Sequence, residues 1–365
     1  MPEEVTRPTE LWTAFVNRPF AEFDATVDLV DGLNFDGLWV ADSQNIMPEA
    51  WVLLSRAAVL SSRLKLGTFV TNPVTRHAAV TASAAATLQE ASKGRVVLGL
   101  GRGDSSLAYI GSGPMKLGPF SSYLDRVQGY LRGDAVSFDP ADVRNDRSAT
   151  LESLAYGHAP EASRIEWLPS GQSKVPLDVA TSGPRVIAMA AAKADGVTFG
   201  LGVDRQRIAD AMGEVRRGCL EAGRDPAEVS ISALVSVVVH PDRETAQQMA
   251  AGSAASIARW QVMQGAARVS ASKSDYEALD KTRKAYDMTN HGATNTSHSD
   301  AITPEMIDRF AIAGPPDYCI GRLRELKELG LARLVLPYRS RGTDPAQQKL
   351  ATELLTREVL PAVLA

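Results

Sequence analysis

Residues 65–74 read KLGTFVTNPV and residues 95–104 read RVVLGLGRGD, with an Ala-rich stretch at 77–91 between them. The second run holds the apolar stretch Val96-Val97-Leu98, without polar alternation, as in strands of a parallel sheet that are buried on both faces. Each run ends in Gly, Asn, Thr or Asp. The carboxyl ends of parallel strands form the rim at which α/β folds bind ligands. We therefore expect an enzyme that binds a flat or phosphorylated ligand at this rim.

Short apolar runs alternate with longer amphipathic ones along nearly the whole chain, which is the pattern of repeated βα units. Eight strands are predicted, at Leu11–Val16, Gly37–Ala41, Lys65–Val70, Arg95–Leu100, Val175–Ala180, Gly196–Phe199, Val229–Val239 and Arg333–Pro337. The predicted helices are Ala21–Gly32, Glu49–Ser61, His77–Ala91, Pro184–Lys193, Asp204–Ala222, Arg243–Gln264, Pro315–Leu329 and Pro345–Leu360. This pattern predicts an α/β fold, a closed (β/α)₈ TIM barrel forming a single domain over residues 1–365.

Two segments interrupt the alternation. Residues 133–174 are polar and rich in Asp, Ser and Pro, so we expect an excursion after the fourth strand. Residues 265–313 lie between the seventh helix and the eighth strand and contain the small, polar run NHGATNTSH at 290–298. Long segments of this kind in compact domains are usually functional lids or disordered. We favour an active-site lid, with a plain surface excursion as the alternative.

The composition favours small-molecule ligands. With 39 basic and 43 acidic residues and no basic stripe, nucleic acids and anionic membrane surfaces are not expected partners. The two cysteines, Cys219 and Cys319, stand in no paired motif, which fits a reducing, cytoplasmic setting. No secretory signal pattern and no apolar run of membrane-spanning length is seen, so a soluble protein is expected.

The glycine-rich turn at 99–104 is similar to a dinucleotide-binding fingerprint, but Asp104 stands where that fingerprint needs Gly or Ala. The Rossmann interpretation is therefore excluded. A glycine turn still lets a ligand approach the backbone closely, with Arg102, Asp104 and Ser105 at its edge. A plain strand-to-helix turn is the alternative.

A second turn, Ser182-Gly183-Pro184-Arg185, follows the predicted fifth strand. Pro184 would open a helix, whose unpaired N–H groups and positive dipole end attract anions. The Ser182 hydroxyl and the Arg185 charge would complete a phosphate cradle. Gly200, after the sixth strand, would approach it. Structural helix capping is an equally good interpretation.

Other strand ends carry single candidates. Asp42 ends the second strand and could serve in acid/base chemistry or cap the next element. Asn72 precedes a proline, so its amide could face the rim or form an Asx turn. His77 stands at a helix start, where capping is its more common role. Neither a metal-site spacing nor a serine nucleophile elbow occurs, so a cofactor is expected to carry the chemistry.

Taken in order, the runs GTFVTNPVTRHAAVTASAAATLQE at 67–90 and GRVVLGLGRGD at 94–104 resemble the luciferase-like oxidoreductase superfamily, specifically its methylenetetrahydromethanopterin-reductase-like branch. The resemblance continues through 182–184, 194–197 and 309–316, so it covers nearly the whole chain. It implies a TIM barrel that binds FMN or the deazaflavin coenzyme F420 in its mouth. The Thr-Asn-Pro and Arg-His elements resemble the reductase branch, which favours F420 slightly.

The resemblance also implies positions for the cofactor. A non-prolyl cis peptide at Phe69-Val70 would form a bulge behind the central ring. The residues expected to contact the cofactor are Phe69, Val70, Asn72, Gly101, Gly103, Asp104, Ser105, Ser182, Gly183, Pro184, Arg185 and Gly200. Where many relatives have His after the strand-two Asp42, this chain has Ser43, so His298 in the lid is the candidate proton donor.

The sequence thus predicts an oxidoreductase for a small organic substrate. An FMN-dependent monooxygenase supplied by a separate flavin reductase is the alternative, and a non-catalytic flavin-binding barrel is a third hypothesis. A barrel hydrolase is disfavoured because no close carboxylate pair is evident on adjacent strand ends. A homo-oligomer is expected by analogy with such barrels.

Overall fold

The computed structural model describes residues 9–16, 19–138, 149–262 and 273–364. Its strands are β1 (Glu10–Phe15), β2 (Gly37–Val40), β3 (Lys65–Thr68), β4 (Val96–Leu100), β5 (Val136–Ser137), β6 (Ala162–Ser163), β7 (Leu177–Thr181), β8 (Gly196–Phe199), β9 (Ser230–Leu234), β10 (Ser236–Val239), β11 (Ala311–Gly314) and β12 (Arg333–Val335). Eight parallel strands close into a barrel in the order β1-β12-β9-β8-β7-β4-β3-β2. The predicted (β/α)₈ barrel is confirmed.

Helices surround the barrel. They are α1 (Phe23–Gly32), α2 (Ala50–Leu60), α3 (Ala78–Ala91), α4 (Ser105–Ala108), α5 (Leu117–Arg132), α6 (Pro184–Lys193), α7 (Arg205–Glu221), α8 (Arg243–Trp260), α9 (Lys273–Lys284), α10 (Ser297–Ala301), α11 (Pro304–Phe310), α12 (Pro316–Lys327), α13 (Pro345–Leu354) and α14 (Leu360–Leu364). His77 caps α3, since its Nδ1 accepts the N–H of Ala79 at 3.1 Å. The capping role predicted for this histidine is confirmed. Of the described helices, none has both the length and the apolar character needed to cross a membrane.

The predicted seventh strand, Val229–Val239, is wrong as a single element. Only β9 belongs to the barrel, whereas β10 pairs in parallel with β11, Val237 opposite Ile312. At the junction the Val235 N–H donates to the carbonyl of Val335 at 2.9 Å. A continuous apolar run does not reveal that its two halves pair with different partners.

Helix α5 was absent from the predicted elements. Gly118 and Pro119 near its start are turn residues, but proline is tolerated in the first turn of a helix. The helix buries Phe120, Tyr123 and Leu124 on one face, at the spacing of an amphipathic helix. The sequence of 117–132 therefore carries a helical signal that the predicted elements do not include.

The two irregular segments differ in structure. In 133–174, residues 139–148 lie outside the described part, and the short strands β5 and β6 pair antiparallel. In 265–313, residues 265–272 lie outside it, and the described part holds α9, α10, α11 and β11 rather than one long loop.

The barrel interior is filled by side chains below its carboxyl-terminal mouth. Arg333 donates to Asp178 at 3.1 Å and lies 5.2 Å from the ring centroid of Trp12. Trp12 contacts Trp39 edge-on at 5.6 Å between centroids, and Trp39 contacts Phe69 at 5.3 Å. This aromatic column occupies the centre of the barrel, so open space begins only above Trp39 and Phe69.

Candidate active site

A cavity of about 330 Å³ opens at the carboxyl ends of the barrel strands. Its size lies in the range of small-molecule and cofactor sites, which span roughly 300–1,000 Å³. The predicted site residues that line it are Ser43, Phe69, Val70, Gly101, Gly103, Asp104, Ser105, Ser182 and Gly200. Loops after five different strands therefore converge on one pocket, as expected for this rim.

One wall is a bulge after β3. The peptide bond between Phe69 and Val70 is cis, as predicted. Pairing with β4 resumes when the Thr71 N–H donates to Gly99 at 3.0 Å and Gly101 donates to Thr71 at 2.9 Å. A Cβ placed on Gly101 would lie 2.7 Å from Val70 Cγ2. Gly101 is thus bare because Val70 occupies the adjacent space, and together they form a smooth apolar surface.

The turn after β7, which is the neighbour of β4 in the barrel, contains the residues predicted for the anion cradle. Ser182 and Gly200 line the pocket, and Gly183 is buried as the residue before α6. Pro184, the first residue of α6, has no N–H, and the N–H groups of Val186 and Ile187 donate to the carbonyl of Gly183 at 3.1 and 3.0 Å. Pro184 and Arg185 are exposed and do not line the pocket. Of the groups predicted for the cradle, the Ser182 hydroxyl lines the pocket and the Arg185 side chain does not, so anion binding at this turn stays a prediction.

Asp104 is held by two residues at the end of α8. Arg259 Nη1 donates to Asp104 Oδ1 at 3.1 Å, and Trp260 Nε1 donates to Oδ2 at 3.0 Å. Burial alone would raise the pKa of Asp104, but the hydrogen bonds and charge of Arg259 outweigh it and lower that pKa. Asp104 is therefore an ionised anchor of the pocket wall.

His291, which the sequence analysis placed in the lid without a role, lines the pocket beside Gly292. Its Nδ1 lies 2.5 Å from the hydroxyl of Tyr286, whose oxygen lies 2.7 Å from Ser256 Oγ. Burial, together with the nearby Arg259 cation, lowers the pKa of His291 to about 4. The imidazole is therefore neutral at pH 7.

His298, the predicted proton donor, is fully buried and does not line the pocket. Its ring stacks on Tyr286 at 4.3 Å between centroids, and its Nδ1 accepts the N–H of Asp287 at 3.3 Å. Thr296 caps α10 and fixes the direction of this turn. The placement of His298 at the pocket was wrong, and His291 from the same polar run takes that position.

Asp42 also lies behind the wall rather than on it. It is 3% exposed, and its carboxylate accepts bonds from Arg76 at 2.5 Å and from Gln44 at 2.6 Å. Burial raises the pKa of Asp42 against the opposing effects of Thr71 and Arg76. Its neighbour Ser43 faces the pocket. Asp42 therefore holds the loop in place and does not line the pocket, and its predicted acid/base role stays a prediction.

Asn72 is 1% exposed and is not a lining residue. Its Oδ1 accepts the N–H groups of Val74 and Thr75 at 3.0 and 3.1 Å and the Thr75 hydroxyl at 3.2 Å. This is an Asx turn, the second of the two interpretations that the sequence allowed. Only Oδ1 is used by the loop, and Nδ2 is buried without a hydrogen-bond partner among the described residues, so the predicted ring contact of Asn72 stays a prediction.

Comparison with known proteins adds the family. The model for luciferase-like monooxygenases matches residues 5–333. This chain belongs to that family. The chain is similar in sequence to a 5,10-methylenetetrahydromethanopterin reductase from Methanolobus tindarius. The two are 27% identical over 346 residues, which cover 91% of this chain and 93% of the relative. The luciferase-like chain is therefore an oxidoreductase or monooxygenase, in the reductase branch to which its sequence pointed.

Two solved structures share the fold of this luciferase-like chain. The coenzyme F420-dependent tetrahydromethanopterin reductase from Methanopyrus kandleri has a TM-score of 0.72 at 22% identity, covering 97% of this chain and 99% of that one. An F420-dependent secondary alcohol dehydrogenase in complex with an F420-acetone adduct has a TM-score of 0.72 at 17% identity, covering 98% and 99%. The fold of this chain is thus shared with these two structures over nearly its whole length.

Proposed function

We propose that this chain binds coenzyme F420 in the barrel mouth and transfers hydride between it and a small organic substrate. The observation that carries the proposal is the wall formed by Val70 against the bare backbone of Gly101, with Ser182 lining the same pocket after the neighbouring strand β7. A flat ring needs such an apolar surface, and a phosphorylated side chain needs hydroxyl and N–H donors. The pocket supplies both.

The lining residues fit a deazaflavin. Phe69 and Val70 would lie behind the ring, and Gly103 would let the cofactor's side chain approach the backbone. Ser182 and the first turn of α6 would hold the phosphate. The family relation to F420-dependent enzymes of the same fold supports this assignment. When bound and reduced, F420 supplies a hydride; it lacks the flavin N5 that supports an oxygen adduct.

The remaining wall would receive the substrate. Trp39, Ile46 and Met47 give it an apolar face that excludes water, while Ser43 and His291 add polar groups. Arg341 stands at the mouth, where it donates to the carbonyl of His291 at 3.3 Å. This mixture suits a small organic molecule with one polar centre.

Fluorescence titration of the purified protein with F420 and, separately, with FMN tests the proposal. We expect saturable quenching of F420 fluorescence, followed by oxidation of the reduced coenzyme with at least one member of a substrate panel. Binding of neither cofactor would refute the assignment. Binding of F420 without turnover across the panel would support a non-catalytic barrel instead.

A second candidate is an FMN-dependent monooxygenase supplied with reduced flavin by a separate reductase. The description of the matching family as luciferase-like monooxygenases favours it. Saturable binding of FMN but not F420, with oxygen consumption when a flavin reductase is added, would support this alternative.

A further inference from the structure

Three side chains at the pocket wall are joined by a continuous series of hydrogen bonds. Ser256 Oγ lies 2.7 Å from the hydroxyl oxygen of Tyr286, which lies 2.5 Å from His291 Nδ1. The N–H of Gly292 also donates to Tyr286 at 3.2 Å. Ser256 and His291 both line the pocket, whereas Tyr286 lies behind them. This series of hydrogen bonds therefore begins and ends at the pocket.

The hydrogen bonds that join Ser256, Tyr286 and His291 can be oriented in two ways. In the first, Ser256 donates to Tyr286, Tyr286 donates to His291 Nδ1, and His291 carries its proton on Nε2. In the second, His291 Nδ1 donates to Tyr286, Tyr286 donates to Ser256, and Ser256 donates to the carbonyl of Gly252 at 3.1 Å. In both arrangements Tyr286 accepts two bonds and donates one, which is the full capacity of a phenol.

The two arrangements present different groups to the pocket. The first offers an N–H donor at His291 Nε2, and the second offers a lone pair. Nε2 makes no hydrogen bond within the described part of the chain, while Nδ1 is committed to Tyr286. His291 can therefore act as an acid or as a base without carrying a charge.

Burial, and after it the surrounding charges, keeps the His291 ring neutral. The Arg259 guanidinium lies 4.5 Å from the ring centroid of Tyr286 and pairs with Asp104. His298 also stacks on Tyr286, and Arg341 donates to the His291 carbonyl. Of these groups Arg259, Arg341 and His298 disfavour a second proton on His291, and Asp104 only partly offsets them.

We infer that Ser256, Tyr286 and His291 form a proton path that serves a substrate whose oxygen gains or loses a proton during hydride transfer, a carbonyl compound or its alcohol. The inference rests on the proposed function and narrows its substrate class. A path of this kind is needed when hydride reaches a carbonyl carbon, because the oxygen must then be protonated. Hydride transfer to an iminium carbon needs no such proton.

The proton balance closes through water. As His291 Nε2 releases its proton to the substrate oxygen, Nδ1 takes the phenolic proton of Tyr286, and Tyr286 takes the hydroxyl proton of Ser256. Ser256 faces the pocket and takes a proton from water there. The three hydrogen-bonded groups then have the second arrangement. After the product leaves, proton transfer from water in the reverse direction restores the first arrangement.

Nitrogen-15 NMR of the histidine side chains tests the path in the protein without cofactor. We expect His291 to show both neutral tautomers between pH 8 and about 5, since its pKa is about 4. Ser256→Ala removes the acceptor that the second arrangement needs, so we expect that variant to hold His291 as the Nε2–H tautomer. Ser253 lies about one helical turn before Ser256 in α8 and is hydrogen-bonded to Ser236. Ser253→Ala removes that bond and should leave the His291 tautomers unchanged. A single wild-type tautomer unaffected by Ser256→Ala would overturn the path.

Turnover gives the second arm. With reduced F420 and acetone or acetaldehyde as probes, we expect Tyr286→Phe to lower kcat by about 100-fold with little change in F420 affinity, and to remove the slowing of the wild type in D₂O. Tyr130→Phe, which loses a bond to Ser163 far from the pocket, is the control. If an iminium probe oxidised the reduced F420 and no carbonyl probe did, the assignment of a carbonyl or alcohol substrate would be overturned. If F420 does not bind at all, the proposed function fails, while the tautomer result still decides the path.

Discussion

Arg259 and Asp104 are 155 residues apart in the chain, yet they join the end of α8 to the loop after β4 in a side-chain ion pair. The Arg259 side chain is 7% exposed and that of Asp104 is 25% exposed. Arg259 also lies against the face of Tyr286. One guanidinium therefore connects the glycine turn that would hold the cofactor to the wall that carries His291.

Replacing Arg259 should destabilise the protein. Arg259→Met leaves the Asp104 carboxylate partly buried without its cation, so we expect a loss of about 2–3 kcal/mol in the free energy of unfolding. The measurement is urea denaturation at pH 7. Arg205 pairs with Glu328 at 3.0 Å on the surface, where both side chains are about half exposed or more, and Arg205→Met should cost less than about 0.5 kcal/mol. Equal losses in the two variants would contradict this account.

Gly101 should be required for cofactor binding rather than for folding. In Gly101→Ala the new Cβ would lie 2.7 Å from Val70 Cγ2, so Val70 must move into the space proposed for the ring. We expect F420 affinity to fall by about 10-fold or more, which corresponds to about 1.4 kcal/mol, with the far-ultraviolet circular dichroism unchanged.

The matched control for this substitution is Gly213→Ala in α7, where no atom lies within 4 Å of the added Cβ. That variant should keep wild-type affinity and gain up to about 1 kcal/mol of stability, because alanine is a better helix former than glycine. Unchanged F420 affinity in Gly101→Ala would show that the Val70 wall does not contact the cofactor.

Asn72 should contribute stability through its turn. Asn72→Ala removes the acceptor of three hydrogen bonds at a buried position, and we expect a cost of about 2 kcal/mol in urea denaturation. Thr75→Val removes only the hydroxyl bond and should cost less than about 1 kcal/mol. If Asn72→Ala were as stable as the wild type, the Asx turn would not explain why this residue is buried.

The rim could be predicted from sequence because its determinants are local. The apolar residues of β4 indicate a buried parallel strand, and the glycines at 101 and 103 that follow it indicate close approach of a ligand. The position of the cis bond at Phe69-Val70 came from the family resemblance and is confirmed. Features encoded within a few neighbouring residues were therefore recovered.

The partners of the site could not be predicted because they are distant or depend on a turn. Nothing near Asp104 indicates that Arg259 would pair with it. His291 and His298 stand in one polar run, and only the capping of α10 by Thr296 turns the second histidine inward. Residue type alone does not separate the two, so the sequence could not show that His291, and not His298, lines the pocket.

His291 should make stability fall as the pH drops. Its pKa of about 4 lies below the ordinary value of 6.5, so the folded state resists a proton that the unfolded chain accepts. The contribution is complete above pH 6.5 and is lost as the pH falls from about 6.5 to 4. At about 1.4 kcal/mol per pH unit, the shift corresponds to a loss of about 3 kcal/mol over that interval.

His291→Gln removes the titrating ring but keeps a polar side chain at the pocket. Urea denaturation of the wild type and this variant at pH 7 and pH 5 isolates the histidine, since the other titrating groups are common to both. We expect the wild type to lose about 2 kcal/mol more than His291→Gln between those two pH values. The matched variant is His77→Gln at the exposed start of α3, which should lose stability in parallel with the wild type. Parallel losses in His291→Gln and the wild type would mean that His291 is not held neutral by its surroundings, and the neutral proton path would lose its electrostatic basis.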